Sequence, residues 1–307
     1  MLMLQNSPFN KPPPSLCGVS LRMWNGITAC IHFLNAVTIL SLTLNTGQDL
    51  IYKITASYAD WAPTQDNPNI ERTVITGERF SISKKDIQAH ELSLAYLIFF
   101  FFMLSFLFQA VAGFFPQLYR FDELLSKGQH PLRFIEYSIS APLMLIAIAL
   151  LCGVFDLYAL IGIGVLCSVC QMFGLLAEYL AAIPKVKEKA GDEETALLKR
   201  IETQQETIDM YVWIAHIAGW ICILGSWVPI FASFLVSNSQ SETKAPEFVY
   251  AIVISMFIMF NLFGFNQLFE LSGFYSHEQA EVTYIMLSLI AKTLLGWMIF
   301  ANVLAPM

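Results

Sequence analysis

The sequence predicts an all-α integral membrane protein, a single domain of seven transmembrane helices with a small β-ribbon in its first long loop. Three observations carry this prediction. Hydrophobic residues make up 56% of the 307 positions, charged residues only 13%, and the mean hydropathy is +0.58. A water-soluble domain of this size needs far more charge on its surface, so a soluble α/β enzyme is excluded. The apolar residues also fall into blocks of about 20 or more, the length that crosses roughly 30 Å of hydrocarbon as a helix.

The blocks run over about 23–44, 91–115, 131–153, 157–183, 210–236, 247–271 and 280–304. The second is dense in aromatic residues, with Phe99 to Phe102 in one run. Pro142 and Pro229 lie inside the third and fifth, where bundle packing re-satisfies the freed backbone groups and each proline bends its helix. Residues 45–90 form the first long loop, with alternating stretches at Leu50–Thr55 and Arg72–Phe80 that read as strands and a turn near Asp66-Asn-Pro-Asn. The second long loop, Lys185 to Glu206, is dense in both charge signs and is expected to extend a helix into water. No internal repeat is visible.

Lysine and arginine set the orientation. With the N-terminus inside, the inner segments carry Lys11, Arg22, Arg120, Lys127, Arg133, Lys185, Lys187, Lys189, Lys199 and Arg200, ten in all, against six outside. Five of those six lie in the long first loop and the sixth is Lys244. The positive-inside rule therefore puts the N-terminus in the cytoplasm and the C-terminus outside the cell. Residues 1–20, with Pro12-Pro13-Pro14, do not read as a cleavable signal, and the first helix is expected to act as the insertion signal. No Asn-x-Ser/Thr sequon occurs. The net charge of −7 shows no basic stripe, and nucleic acid is not an expected partner. Cys167 and Cys170 form a C-x-x-C, but with no second Cys or His pair beside it in sequence they read as small buried hydrophobes rather than metal ligands.

Lys292 is the one lysine or arginine deep inside an apolar block. A lysine at the bilayer centre costs about 2.5–3.5 kcal/mol on insertion scales, so it needs a partner or a task. A structural salt bridge between helices is one account. The other is covalent chemistry, since desolvation favours the neutral amine that attacks an aldehyde. Ser288 sits one turn before Lys292 on the same face, and Trp297, five residues after it, is expected to wall a bound polyene. The third block opens Arg133-Phe-Ile-Glu136-Tyr137-Ser138-Ile-Ser140. Glu136 reads either as an interfacial cap behind Pro131 or as the anion that pairs with Lys292.

These two stretches, Arg133 to Ser140 and Ser288-x-x-x-Lys292, resemble the third- and seventh-helix signatures of the heliorhodopsins, seven-helix retinal proteins of inverted topology. The resemblance extends over essentially all seven spans. It implies all-trans retinal bound to Lys292 as a protonated Schiff base, Glu136 as counterion and Ser288 hydrogen-bonded nearby. Tyr137, Ser140, Phe257, Phe260 and Gln267, with Asn266 beside it, are the further residues expected around the chromophore. Arg22-x-x-Asn25 and His32 resemble the family's first-helix pattern, which implies a polar cavity that holds water. Gln109 stands where the family usually places a second cavity histidine, and a glutamine cannot carry a proton at physiological pH. His130 is the expected substitute.

The resemblance implies light sensing without efficient pumping, a homodimer in the bilayer, and output through an unidentified downstream protein or the charged 185–206 loop. No kinase, cyclase or transducer domain is present in the sequence, and no enzymatic activity is expected. A light-gated proton path through Glu178, Glu270 and Glu281 is the competing reading. A receptor or transporter that uses Lys292 and Glu136 as a plain salt bridge is a third.

Overall fold

The computed structural model describes residues 15–16, 19–63, 72–75, 78–183 and 195–304. The Pro12-Pro13-Pro14 stretch, the Asp66-Asn-Pro-Asn turn and Lys185, Lys187 and Lys189 lie outside these residues. A two-residue pairing of β1 (Ser15–Leu16) with β2 (Val19–Ser20) precedes the first helix. The long helices are α1 (Leu21–Thr46), α2 (Leu94–Phe114), α5 (Pro131–Leu151), α6 (Leu157–Ala181), α7 (Thr195–Gln240), α8 (Glu247–Leu271) and α9 (His277–Ile299). Two short helices, α3 (Pro116–Tyr119) and α4 (Phe121–Ser126), fill the α2–α5 connection, and a π-helical turn over Phe300–Leu304 ends α9. Among the described residues, seven helices are long and apolar enough to cross a membrane.

Side-chain caps set several of the boundaries. Ser20, Ser93, Asp156 and Ser276 each accept a hydrogen bond from a backbone N–H in the first turn of α1, α2, α6 and α9. These caps satisfy donors that no intrahelical carbonyl can reach. The Ser93 cap starts α2 at Leu94 rather than near 91, and Glu91 and Leu92 remain in a strand. The 46 residues of α7 make it about 69 Å long at 1.5 Å per residue, roughly twice a hydrocarbon core. Its first turns take in residues 195–206 of the charged segment.

The first long loop folds into an antiparallel sheet of order β3-β5-β4, with β3 spanning Ile51–Pro63, β4 Arg72–Ile75 and β5 Glu78–Ser93. The pairing of β3 with β5 makes it longer than the short hairpin read from the alternation. Thr55 N–H donates to Phe155 O at 2.9 Å, and Tyr52 stacks on Phe155 with ring centroids 5.5 Å apart. The sheet is thereby fixed to the α5–α6 connection.

The bundle core holds Phe101, Phe102, Leu145, Ile148, Trp227, Ile230, Leu295 and Ile299. Small residues let backbones approach, as membrane helix packing requires. A Cβ on Gly113 of α2 would lie 2.6 Å from the Gly26 nitrogen of α1. Only glycine fits there.

Candidate functional site

Lys292 lies near the middle of α9 and is 3% exposed. Its Nζ donates to Glu136 Oε1 of α5 at 3.0 Å and to Ser288 Oγ at 2.8 Å. The same Glu136 oxygen accepts from Ser140 Oγ at 2.7 Å, one turn along α5, and from Ser105 Oγ of α2 at 2.6 Å. Tyr137 turns its ring toward Lys292, with Nζ 5.0 Å from the centroid, and its hydroxyl donates to Tyr284 O. A buried ion pair persists when further hydrogen bonds support it, and Ser105 and Ser140 on Glu136 Oε1 and Ser288 on Lys292 do so.

An apolar pocket opens beside the pair, with about 770 Å³ of space not filled by atoms, open space included. It runs from Lys292, Ser288 and Tyr137 past Met144, Phe134, Trp220 and Phe260 to Gln267 and His216. Gly264 makes room for one of these walls, because a Cβ there would meet the Trp220 ring at 2.6 Å.

Two expected wall residues are elsewhere. Trp297 does not line this pocket; its indole N–H donates to Asn35 Oδ1 at 3.0 Å. Five residues advance a helix by about 500°, which turns Trp297 well away from the face of Lys292. Phe257 packs edge-on against Trp227 and Phe231, at centroid distances of 5.3 and 5.1 Å, and also stands off the pocket. The sequence reading missed Trp220, Phe134, Met144 and His216. His216 carried a usable signal, a histidine inside an apolar block.

A second, smaller cavity lies on the other side of Glu136. Asn25, Gln109, His130, Arg133 and Glu281 line it with Glu136. Of the four expected cavity residues, three therefore meet there. His32 does not line it: its ring packs 5.7 Å from Phe102, and neither ring nitrogen has a protein partner among the described residues.

Beyond this cavity, at the end of the bundle where α5 begins, Arg133 ion-pairs with both Glu178 of α6 and Glu281 of α9. All three are buried. His130 donates its backbone N–H to Glu178 Oε1 at 2.5 Å, and its Nδ1 lies 2.6 Å from Glu281 Oε2. Burial, with Arg133 beside it, pushes the His130 imidazole down to about 3, so the ring is neutral and Nδ1–H donates. Glu270 pairs with His277 at 2.5 Å. Glu178, His277 and Glu281 bring one ligand atom each within 4.8 Å of one another, but the Arg133 guanidinium already holds both carboxylates and opposes a metal cation. The three carboxylates of the competing proton path are thus engaged, Glu178 and Glu281 with Arg133 and Glu270 with the His277 ring.

Among curated proteins, none matches the sequence. Among solved structures, the chain is similar to a light-driven proton pump, LR (Mac) from Leptosphaeria maculans, with a TM-score of 0.48 and 12% identity over 95% of this chain and 97% of that one. The family model for heliorhodopsin matches residues 21–304, which takes in all seven candidate spans. The chain belongs to the heliorhodopsin family.

Proposed function

We propose that this protein is a light sensor that holds all-trans retinal covalently on Lys292 as a protonated Schiff base, with Glu136 as counterion. When bound, retinal supplies absorption of visible light and isomerisation. The observation that carries the reading is a buried amine, paired with one carboxylate, at the end of an elongated apolar pocket. The residues suit the group: the walls are mainly aromatic and aliphatic, with a few polar groups, as in small-molecule sites generally. Phe260, Tyr137 and Ser288 would contact or border the chromophore, and Gln267 would close the far end. Ser140 and Ser105 orient the Glu136 carboxylate. Lys292 and Glu136 hold a proton between them, and the cavity lined by Asn25, Gln109 and His130 gives that proton a polar place to go.

The output is regulatory rather than efficient pumping. Arg133 neutralises Glu178 and Glu281, and His277 binds Glu270, which favours a sensor over an open proton path. Charge places the N-terminus in the cytoplasm, so the Arg133 end of the bundle faces inward. The β-sheet then lies outside, a suitable contact for a homodimer, and the downstream partner meets the inner end.

Protein expressed with all-trans retinal and purified should absorb visible light. Lys292→Ala should not, because no other described lysine lies on this pocket. A coloured pigment from Lys292→Ala refutes the proposal. Photocurrents from the wild-type protein in a clamped cell would favour the proton path instead.

A further inference from the structure

The cleft between α6, α7 and α8 contains two cavities one helical turn apart. The first is the Lys292 pocket, whose far end is formed by Gly174, His216 and Gln267. The second is a vestibule of about 1080 Å³, open space included, bordered by Glu178, Val212 and Leu271 one turn further along the same three helices. Asp209, Glu270 and His277 also line it and make it polar.

Gln267 is the residue that faces both cavities, and it is 8% exposed. Its Nε2 donates to Gly174 O of α6 at 2.8 Å, and its Oε1 lies 3.2 Å from His216 Nδ1 of α7. The Trp220 indole N–H donates to His216 Nε2 at 3.0 Å. That bond leaves the histidine proton on Nδ1, which therefore donates to Gln267. One amide on α8 thus ties together three helices, at the level where polar lining gives way to apolar. Gly174 contributes no side chain, and the Phe134 ring takes the space that a Cβ there would need.

We propose that Gln267 is a gate: it closes an aqueous passage from the vestibule to Lys292, through which water and small hydrophilic nucleophiles enter when the amide leaves its two hydrogen bonds. Ala177, Val212 and Ala215 pack beside the amide, which is the polar part of the boundary between the two cavities. His216 and Trp220 act as positioning residues that hold the amide in its closed orientation. The proposal rests on retinal being held at Lys292.

Hydroxylamine, added in the dark to the purified pigment, provides the test. Its nitrogen replaces that of Lys292 on the retinal carbon, giving the oxime and the free lysine ammonium, and the visible band disappears at a measurable rate. Gln267→Ala should bleach about 10-fold faster than wild type or more, as expected for losing two hydrogen bonds. Gln267→Asn, which keeps the amide but is too short for both bonds, should also bleach faster and serves if the alanine variant does not fold. A generally loosened protein would admit the reagent from any side, so the route needs its own readout. In the combined Gln267→Ala and Ala181→Cys protein, attaching a bulky thiol reagent at the vestibule-lining position 181 should slow bleaching again, while the same reagent on Gln267→Ala alone should not. Wild-type rates in both Gln267 variants, or a rate indifferent to the vestibule block, overturn the gate. Failure of the wild-type protein to form a pigment would instead overturn the retinal reading beneath it.

Discussion

Glu136 Oε1 receives Ser105, Ser140 and Lys292 at once, and only Lys292 can bring a full charge to it. The interaction of two unit charges at about 4 Å is worth around 4 kcal/mol at an effective dielectric of 20. Glu136→Gln keeps the shape and removes that attraction, so the proton on the chromophore linkage is lost more easily. The near-ultraviolet form should then appear roughly 2–3 pH units lower than in wild type, once the serines and solvent compensate in part. Where the proton is retained, the visible band should move to the red. A spectrophotometric titration checks both, and unchanged colour with unchanged titration would leave Glu136 as a cap. Glu136, Ser288 and Lys292 were legible because charges and hydroxyls inside apolar blocks are few and sit at helical spacing. Ser105 was read only as part of its span, because its role arises from the approach of α2 to α5. Phe257 and Trp297 were misplaced because an aromatic residue on a helix says nothing of which neighbour it meets.

At the scale of elements, the start of α5 is held by charge as well as by packing. Arg133 joins α5 to α6 and α9 through Glu178 and Glu281, and its guanidinium lies 3.9 Å from the centroid of the Tyr284 ring. Arg133→Ala leaves two buried carboxylates without their cation and should lower stability by about 3–5 kcal/mol. Glu281→Gln, which leaves Arg133 one carboxylate, should cost less; thermal unfolding in detergent ranks the two. His130 adds a pH dependence. Its folded value, about 3, lies below the ordinary 6.5, so the unfolded chain binds the extra proton first. Stability from keeping the ring neutral is therefore complete above about pH 6.5 and is lost as pH falls toward 3. Between pH 7 and pH 4.5 this amounts to roughly 2–3 kcal/mol. His130→Gln should show a smaller drop in melting temperature over that interval than wild type; an equal drop would assign the acid sensitivity to the carboxylates. The helices themselves were legible from hydropathy, whereas their ends follow from caps such as Ser93. The Arg133 cluster was legible only as separate charges, since the contact between α5, α6 and α9 is a product of folding.

For the molecule as a whole, the count of seven spans follows from apolar block length, but the pocket does not, because it depends on how the helices rotate and tilt against one another. Hydropathy fixes neither rotation nor tilt. Sidedness depends on a different property, the excess of basic residues in short loops. Of the ten inner basic residues, five lie in the 185–206 loop and five in the segments leading into and opening α1 and α5, while five of the opposing six lie in the loop that folds into the β-sheet. With that loop discounted the ratio is ten to one, and the α1 start is expected to face the cytoplasm. Two exposed serines on opposite ends of the bundle can test this, Ser126 in α4 and Ser241 just after α7. Single cysteine replacements at these sites are conservative in size and lie outside the spans. A membrane-impermeant maleimide applied to intact cells should label Ser241→Cys above the background of the unmodified protein, and should label Ser126→Cys only after the membrane is opened. The reverse pattern would invert the molecule, turning the Arg133 cluster and the vestibule below Gln267 toward the outside. The basic residues of the first loop would then have outweighed the ten on the other side of the membrane.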